Sequence, residues 1–328
     1  MVDKLRDNTV VRRMVALADR REFMIFYIIV LAVIGMTYAR PEFLGKTSMA
    51  AVMLSLTATS IIAIGMTILL VSGTFDLSVG STFALAGTVT AIWLKGGMPA
   101  PMAIGLGLGV GVLIGLINGL IVTELRINAF ITTLGMMSLV RGLMMVISNE
   151  QGIYGLPAEF NALGQGELIP GVQNPIVISI VLIVVSDFLL RRSRFFRQSY
   201  YIGGNEDAAM LSGINVKRIK VFNFALVGFL AALAGIITTA RLGMASTTAG
   251  KGLELKVISA AIIGGASLKG GTGTIFGALL GAVLMSIIFS AIVLLDIGTK
   301  WVDFIIGAAL LLAVMADMTS RKDKAAAG

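Results

Sequence analysis

The stretch IGGNEDAAMLSGINVKRIK, residues 202–220, decides how the rest of the chain is read. It is a short, polar, helix-forming segment flanked by glycines, set between two long apolar runs at 174–190 and 221–242. Asn205 stands at an N-cap position, with Glu206 and Asp207 in the first turn, where the helix dipole favours negative charge. Ala208, Ala209, Met210 and Leu211 supply the body. Gly213 fits the left-handed position that stops a helix, and Asn215 can cap the next one. The expected helix has about two turns, too few to persist in water unless something packs on it. An amphipathic connection and a docking helix both satisfy the pattern.

Apolar runs long enough for a bilayer recur outward from this segment. A hydrocarbon core about 30 Å thick needs roughly 20 helical residues. Runs near that length occupy 23–39, 49–72, 77–95, 101–122, 130–147, 174–190, 221–242, 254–266, 275–296 and 301–317. The expected fold is all-α, a polytopic transmembrane bundle of about ten segments. The run at 254–266 is too short to cross unaided, and glycines 264, 265, 270, 271 and 273 interrupt its end, which predicts a broken or re-entrant helix. The pair within 49–95 can be two spans, or one span and a re-entrant loop.

Charge orients the spans, because Lys and Arg near span ends favour the cytoplasm. The tail 1–22 holds six basic residues, the loop 191–220 holds seven and the tail after 317 holds three. The loop 149–173 has Glu150, Glu159 and Glu167 and no Lys or Arg. An even number of spans with both ends cytoplasmic satisfies these charges. The expected organisation is a cytoplasmic tail (1–22), one transmembrane domain (23–317, with the short helix at about 202–214) and a second cytoplasmic tail (318–328). The first apolar run ends in Tyr38, Ala39, Arg40, Pro41 without a small-x-small cleavage site, so it reads as an anchor. Residues 73–92 faintly echo 271–288.

Composition excludes several chemistries. The 328 residues are 57% hydrophobic and 13% charged, with no cysteine and no histidine. Thiolate nucleophiles, imidazole bases, disulfides and nearly every transition-metal site are thereby removed, so neither an enzyme nor a cofactor is expected. The net charge of +8 sits beside apolar runs, where loop bias explains it better than nucleic-acid binding. The stretch ASTTAGKG (245–252) resembles a phosphate loop, but lacks the first glycine, carries Gly252 where a metal-binding hydroxyl belongs, and follows no strand.

Polar residues inside the spans are the remaining candidates. Asp76 within GTFDLSVGS either caps the third span through backbone N–H groups or lines a passage, with Ser78 and Ser81 nearby. Asn118 either faces that passage or hydrogen-bonds a neighbouring helix. Arg141 either snorkels outward or pairs with Asp76, Asp187 or Asp303. Glycines 107, 111, 115 and 119 recur every fourth position, so one face of the fourth span can approach another helix closely.

The pattern Glu206-x-Ala208-Ala209-x-x-x-Gly213 resembles the coupling-loop signature of ATP-binding-cassette importer permeases. The wording of 202–220 is similar to the ribose-type sugar permease family, within a branch that includes xylose, galactoside and autoinducer-2 carriers. VSGTFDLSVGS (71–81), LINGLIVTELRINAFITTLGMMSLVRGL (116–143) and AAIIGGASLKGGTGTIFGALLGA (260–282) agree with it, and the likeness runs from about 45 to 317. The resemblance implies an importer permease in the bacterial inner membrane. It also implies ATP-binding subunits seated on Gly203, Gly204, Asn205, Glu206, Ala208, Ala209 and Gly213, a second permease subunit, an external solute-binding protein and a surrounding lipid bilayer. Asp76, Ser78, Ser81, Asn118 and Arg141 are the candidates for a translocation pathway; the resemblance makes the motif around Asp76 a family hallmark without assigning any side chain to solute. An ion-coupled transporter, or a permease for nucleosides or branched-chain amino acids, is the alternative.

Overall fold

The computed structural model describes residues 21–326, so the expected tail 1–22 lies outside the described residues except for its last two. The described chain is a helical bundle of thirteen α-helices. They are α1 (Arg21–Ala39), α2 (Lys46–Val71), α3 (Val79–Lys95), α4 (Ala100–Glu124), α5 (Ala129–Ser148), α6 (Ala158–Gln165), α7 (Asn174–Arg192), α8 (Arg194–Gly204), α9 (Glu206–Leu211), α10 (Val216–Leu242), α11 (Leu253–Ile263), α12 (Ile275–Leu294) and α13 (Val302–Ala326). Seven of these, α1, α2, α4, α5, α7, α10 and α12, are long and apolar enough to cross a membrane. The other three expected segments are shorter: α3 has 17 residues, α11 has 11, and the apolar part of α13 is Val302–Met315.

Two helices form the centre. In their most apolar windows α2 is 78% and α10 is 61% buried inside the chain, whereas α1 is 11% buried and turns its apolar surface outward. A helix apolar on all sides suits either a bundle centre or a lipid-facing span, so burial and not composition marks α2 and α10 as central. From Ile61 to Val71 every residue of α2 is buried. Helix α10 lies against α2, α3 and α4. Its approach to α4 uses the expected small-residue face: a Cβ on Gly111 would strike the Gly228 carbonyl, and one on Gly115 would strike that of Phe224. Both helices therefore meet backbone to backbone.

Two breaks interrupt the spans. Between α2 and α3 the chain runs unwound through residues 72–78, with Ser72, Thr74, Asp76 and Ser78 buried. Unwound backbone is tolerated at such depth only where protein or a wet cavity satisfies it. Helix α11 is about 16 Å long at 1.5 Å per residue, half a bilayer. It stops at Gly264, followed by positive φ at Gly265, Gly270, Gly271 and Gly273 before α12 begins. The broken helix expected near 254–266 is thus present.

Three boundaries differ from the expected ones. Helix α10 begins at Val216, five residues before the apolar run at 221, because a helix continues past the apolar layer once Asn215 has capped it. The segment 149–173 is more than a loop: it holds α6 and the short strands β1 (Ile153–Tyr154), β2 (Glu167–Ile169) and β3 (Val172–Gln173). Strand β1 pairs antiparallel with β4 (Met244–Ala245), just beyond α10, and β2 pairs with β3. Phe160 of α6 is buried, and Gly164 allows α6 to touch the backbone of α10 at Arg241. Finally, the helix α13 continues past 318 to Ala326.

Candidate functional site

The segment 202–214 forms an elbow of two helices rather than one. Ile202, Gly203 and Gly204 end α8, Asn205 is extended at φ −160°, and α9 then runs for six residues. The helix spans the residues expected of it, about two turns, and the flanking glycine pair completes the preceding helix. Asn205 caps α9, its Oδ1 accepting from the Ala208 N–H at 2.9 Å. Gly213 takes φ +82°, a conformation that costs a side-chain residue strain, and its N–H donates to Met210 O. Asn215 Oδ1 accepts from the Arg218 N–H at 3.0 Å, starting α10. Glu206 is paired with Lys220 at 2.6 Å, which fixes the acidic end of α9 to α10.

Only Ala209 of α9 is buried, packed with Ile202, Val216 and Ile219. Ala208, Met210 and Leu211 face outward, and Leu211 is 90% exposed. Among the named alanines, Ala209 therefore seats the helix and Ala208 shows a surface. Met210 and Leu211 were not singled out as site residues. The sequence shows them only as apolar side chains on a short polar helix; that they face outward follows from Ala209 being the buried residue.

The elbow is anchored to both breaks. A Cβ on Gly203 would strike the Val71 carbonyl at the end of α2 and crowd the Gly271 nitrogen at 2.6 Å. The Gly271 N–H donates to that same Val71 carbonyl at 2.8 Å, so three backbone segments meet at one point. Gly204 has open space beside it, and no packing requirement explains a glycine there. Tyr200 Oη donates to Gly273 O at 2.7 Å, and Asn223 Nδ2 of α10 donates to Ser199 Oγ at 3.0 Å. Burial pushes the Tyr200 phenol above its usual value, so it keeps its proton as a donor throughout neutral pH.

Asp76, Ser78 and Asn118 form one cluster. Asp76 Oδ1 accepts from the Ser78 N–H at 2.7 Å and from Ser78 Oγ at 2.6 Å. Asn118 Nδ2 donates to Asp76 Oδ2 at 3.1 Å and to Ser78 Oγ at 2.9 Å, bridging α4 to the break. The residue at the N-cap of α3 is Ser78, so Asp76 is not itself the cap; it stands two residues earlier and holds the cap residue in place. All three are buried. Asn118 Oδ1 has no hydrogen-bond partner among the described residues.

Ser81 and Arg141 lie apart from this cluster. Ser81 Oγ donates to Met137 O at 2.8 Å, tying α3 to α5. Arg141 forms no ion pair with Asp76, Asp187 or Asp303 among the described residues; its Nη1 donates to Ala249 O at 2.8 Å, in the turn before α11. Glu254 interacts electrostatically with Arg141 on one side and with Asp303 on the other. Asp187 is taken by Arg191 at 2.7 Å. Among the described residues no group of three or more acidic side chains could hold a metal ion.

Seven helices long and apolar enough to cross a membrane, two unwound breaks and a capped elbow joined to both define a polytopic membrane protein. Residues 48–314 match the family described as branched-chain amino acid transport system, permease component, and the chain belongs to that family. It is similar to the ribose import permease protein RbsC of Haemophilus influenzae, at 38% identity over 92% of this chain and 93% of the relative. It is likewise similar to the L-arabinose ABC transporter permease protein AraH of Azospirillum brasilense, at 36% over 94% and 91%. The autoinducer 2 import system permease protein LsrC of Yersinia enterocolitica is 38% identical over 78% and 71%. No solved structure matches the chain. As a permease component, the protein is a multi-pass inner-membrane transport subunit and not an enzyme.

Proposed function

We propose that the chain is the permease of an ATP-binding-cassette importer that admits a sugar or sugar-like solute, driven by ATPase subunits that seat on α9. The observation that carries this reading is the elbow at Asn205–Gly213: capped at both ends, it buries Ala209 alone and holds Met210 and Leu211 out to solvent. A short helix that spends its apolar side chains outward is stable only when seated against something else. The sequence carries no complete phosphate-loop pattern, and the relatives are named as ribose, arabinose and autoinducer-2 permeases. In this reading both termini are cytoplasmic, and two permease subunits enclose the passage. A soluble binding protein delivers solute at the outer face.

Load from the ATPase enters at α9 and passes through Gly203 to the Val71 carbonyl and the Gly270–Gly271 turn, reaching both breaks at once. The Asp76, Ser78 and Asn118 cluster braces the first break against that load. The test is reconstitution of the permease with its ATPase and binding protein. Gly213→Pro or Glu206→Arg is expected to abolish transport and solute-stimulated ATP hydrolysis while the bundle stays folded. Stimulated hydrolysis that survives those changes sinks the docking assignment. Uptake measured with pentoses, hexoses, nucleosides and branched-chain amino acids decides the solute class.

A further inference from the structure

The junction of α7 and α8 carries a charge pattern that the docking elbow does not use. Helix α7 ends at Arg192, a single extended residue, Ser193, follows, and α8 begins at Arg194, so α8 starts where a spanning helix leaves the bilayer. Arg191, Arg192, Arg194 and Arg197 fall within seven residues. Arg191 is engaged by Asp187, whereas Arg192, Arg194 and Arg197 are exposed and form no ion pair among the described residues. Along α8 the exposed positions Arg194, Arg197 and Tyr201 stand three and then four residues apart, so they share a face. The opposite face is buried through Ser199 and Ile202. Phe195 and Phe196 stack edge-on against Phe222 of α10, at 4.8 and 5.9 Å between ring centroids, which fixes the orientation of the stripe.

We infer that this stripe binds the headgroups of anionic phospholipids in the leaflet at the C-terminal end of α7, the cytoplasmic leaflet in the orientation given above. Guanidinium groups present forked donors that match phosphate oxygens, and clustered cations directly beside a spanning helix are attracted to an anionic surface. Tyr201 continues the arginine face with a ring that is apolar along its body and polar at its tip, the residue type enriched at the membrane–water boundary. The acidic first turn of α9, with Glu206 and Asp207, lies at the far end of α8, which separates a lipid-facing half of the elbow from a protein-facing half. The lipid contact would hold α8 level with the membrane while α9 is loaded.

The experiment uses the full chain in nanodiscs of equal phosphatidylglycerol and phosphatidylcholine. Lipid retained on gentle release is counted by native mass spectrometry. Wild type is expected to retain phosphatidylglycerol preferentially, the triple variant R192Q/R194Q/R197Q to lose that preference by about fivefold or more, and R218Q to keep it. Equal retention by wild type of the two lipids, or undiminished preference in the triple variant, overturns the proposal. A second measurement needs only the intact arginines: a spin label on Tyr201→Cys, unique in a cysteine-free chain, is expected to report headgroup depth and slower motion as phosphatidylglycerol rises. A label that reports bulk water at every lipid composition overturns it as well. A triple variant that keeps its lipids but no longer co-purifies the ATPase assigns the stripe to that subunit instead, whereas loss of co-purification in Glu206→Arg with lipid retention intact concerns the docking reading alone.

Discussion

Asp76 illustrates how a carboxyl group is held inside a membrane bundle with no ion pair among the described residues. Its two oxygens accept three hydrogen bonds from Ser78 and Asn118, and removing the carboxylate leaves those donors buried. Each unsatisfied buried group costs about 1–3 kcal/mol, so Asp76→Ala is expected to lower thermal stability in detergent clearly, and Asp76→Asn less so. A thermal-unfolding series with Asn118→Ala as partner measures the coupling; additive losses would show that the two residues do not act together. Gly203 is the second telling residue. Gly203→Val places side-chain atoms against the Val71 carbonyl, and transport per ATP hydrolysed is expected to fall several-fold in complexes that still contain the ATPase. The sequence marks Asp76 with Ser78 in one motif and Asn118 apart from them, because a polar residue in an apolar run is conspicuous. It could not join them, since Asp76 and Asn118 are 42 residues apart and hydrogen-bond partners across helices leave no periodic trace.

Helix α9 shows what local rules read well and what they miss. Its caps at Asn205 and Asn215 and its stop at Gly213 were legible, because capping is decided within three or four residues of chain. Its seat was not, because the contact of Gly203 with Val71 and Gly271 depends on chain returning from far away. The same limit hid α6 and the β1–β4 pair within an apparently plain loop. At this level the expected outcome is that Leu211→Asp removes the ATPase from purified complexes while leaving the permease monodisperse. Leu211 is 90% exposed, so the change disturbs no internal packing. Unaltered co-purification would place the ATPase elsewhere.

For the bundle as a whole, hydrophobic run length found the seven long crossings, and it flagged α11 as too short, because crossing a bilayer is a requirement on length. What run length could not supply was which helices lie at the centre, since α1 and α2 are both apolar but 11% and 78% buried. The proposed orientation is open to direct measurement in a chain without cysteines. Ser212→Cys is expected to react with an impermeant maleimide only from the cytoplasmic side and Leu168→Cys only from outside; the reverse pattern would invert the topology. Vesicles containing this polypeptide alone with an ion gradient are expected to accumulate no sugar, and accumulation there would point to a self-powered carrier. The backbone-to-backbone approach of α10 to its neighbours has a consequence for inheritance. Where Gly228 and Gly235 leave no room for even a methyl group, an enlargement cannot be absorbed by a single neighbour repacking. Saturation mutagenesis should therefore find intolerance drawn as one ribbon down α10 and the facing edges of α4 and α3, which meet Gly228 and Gly235 respectively, while the outer surfaces of α1 and α7 drift freely among apolar choices.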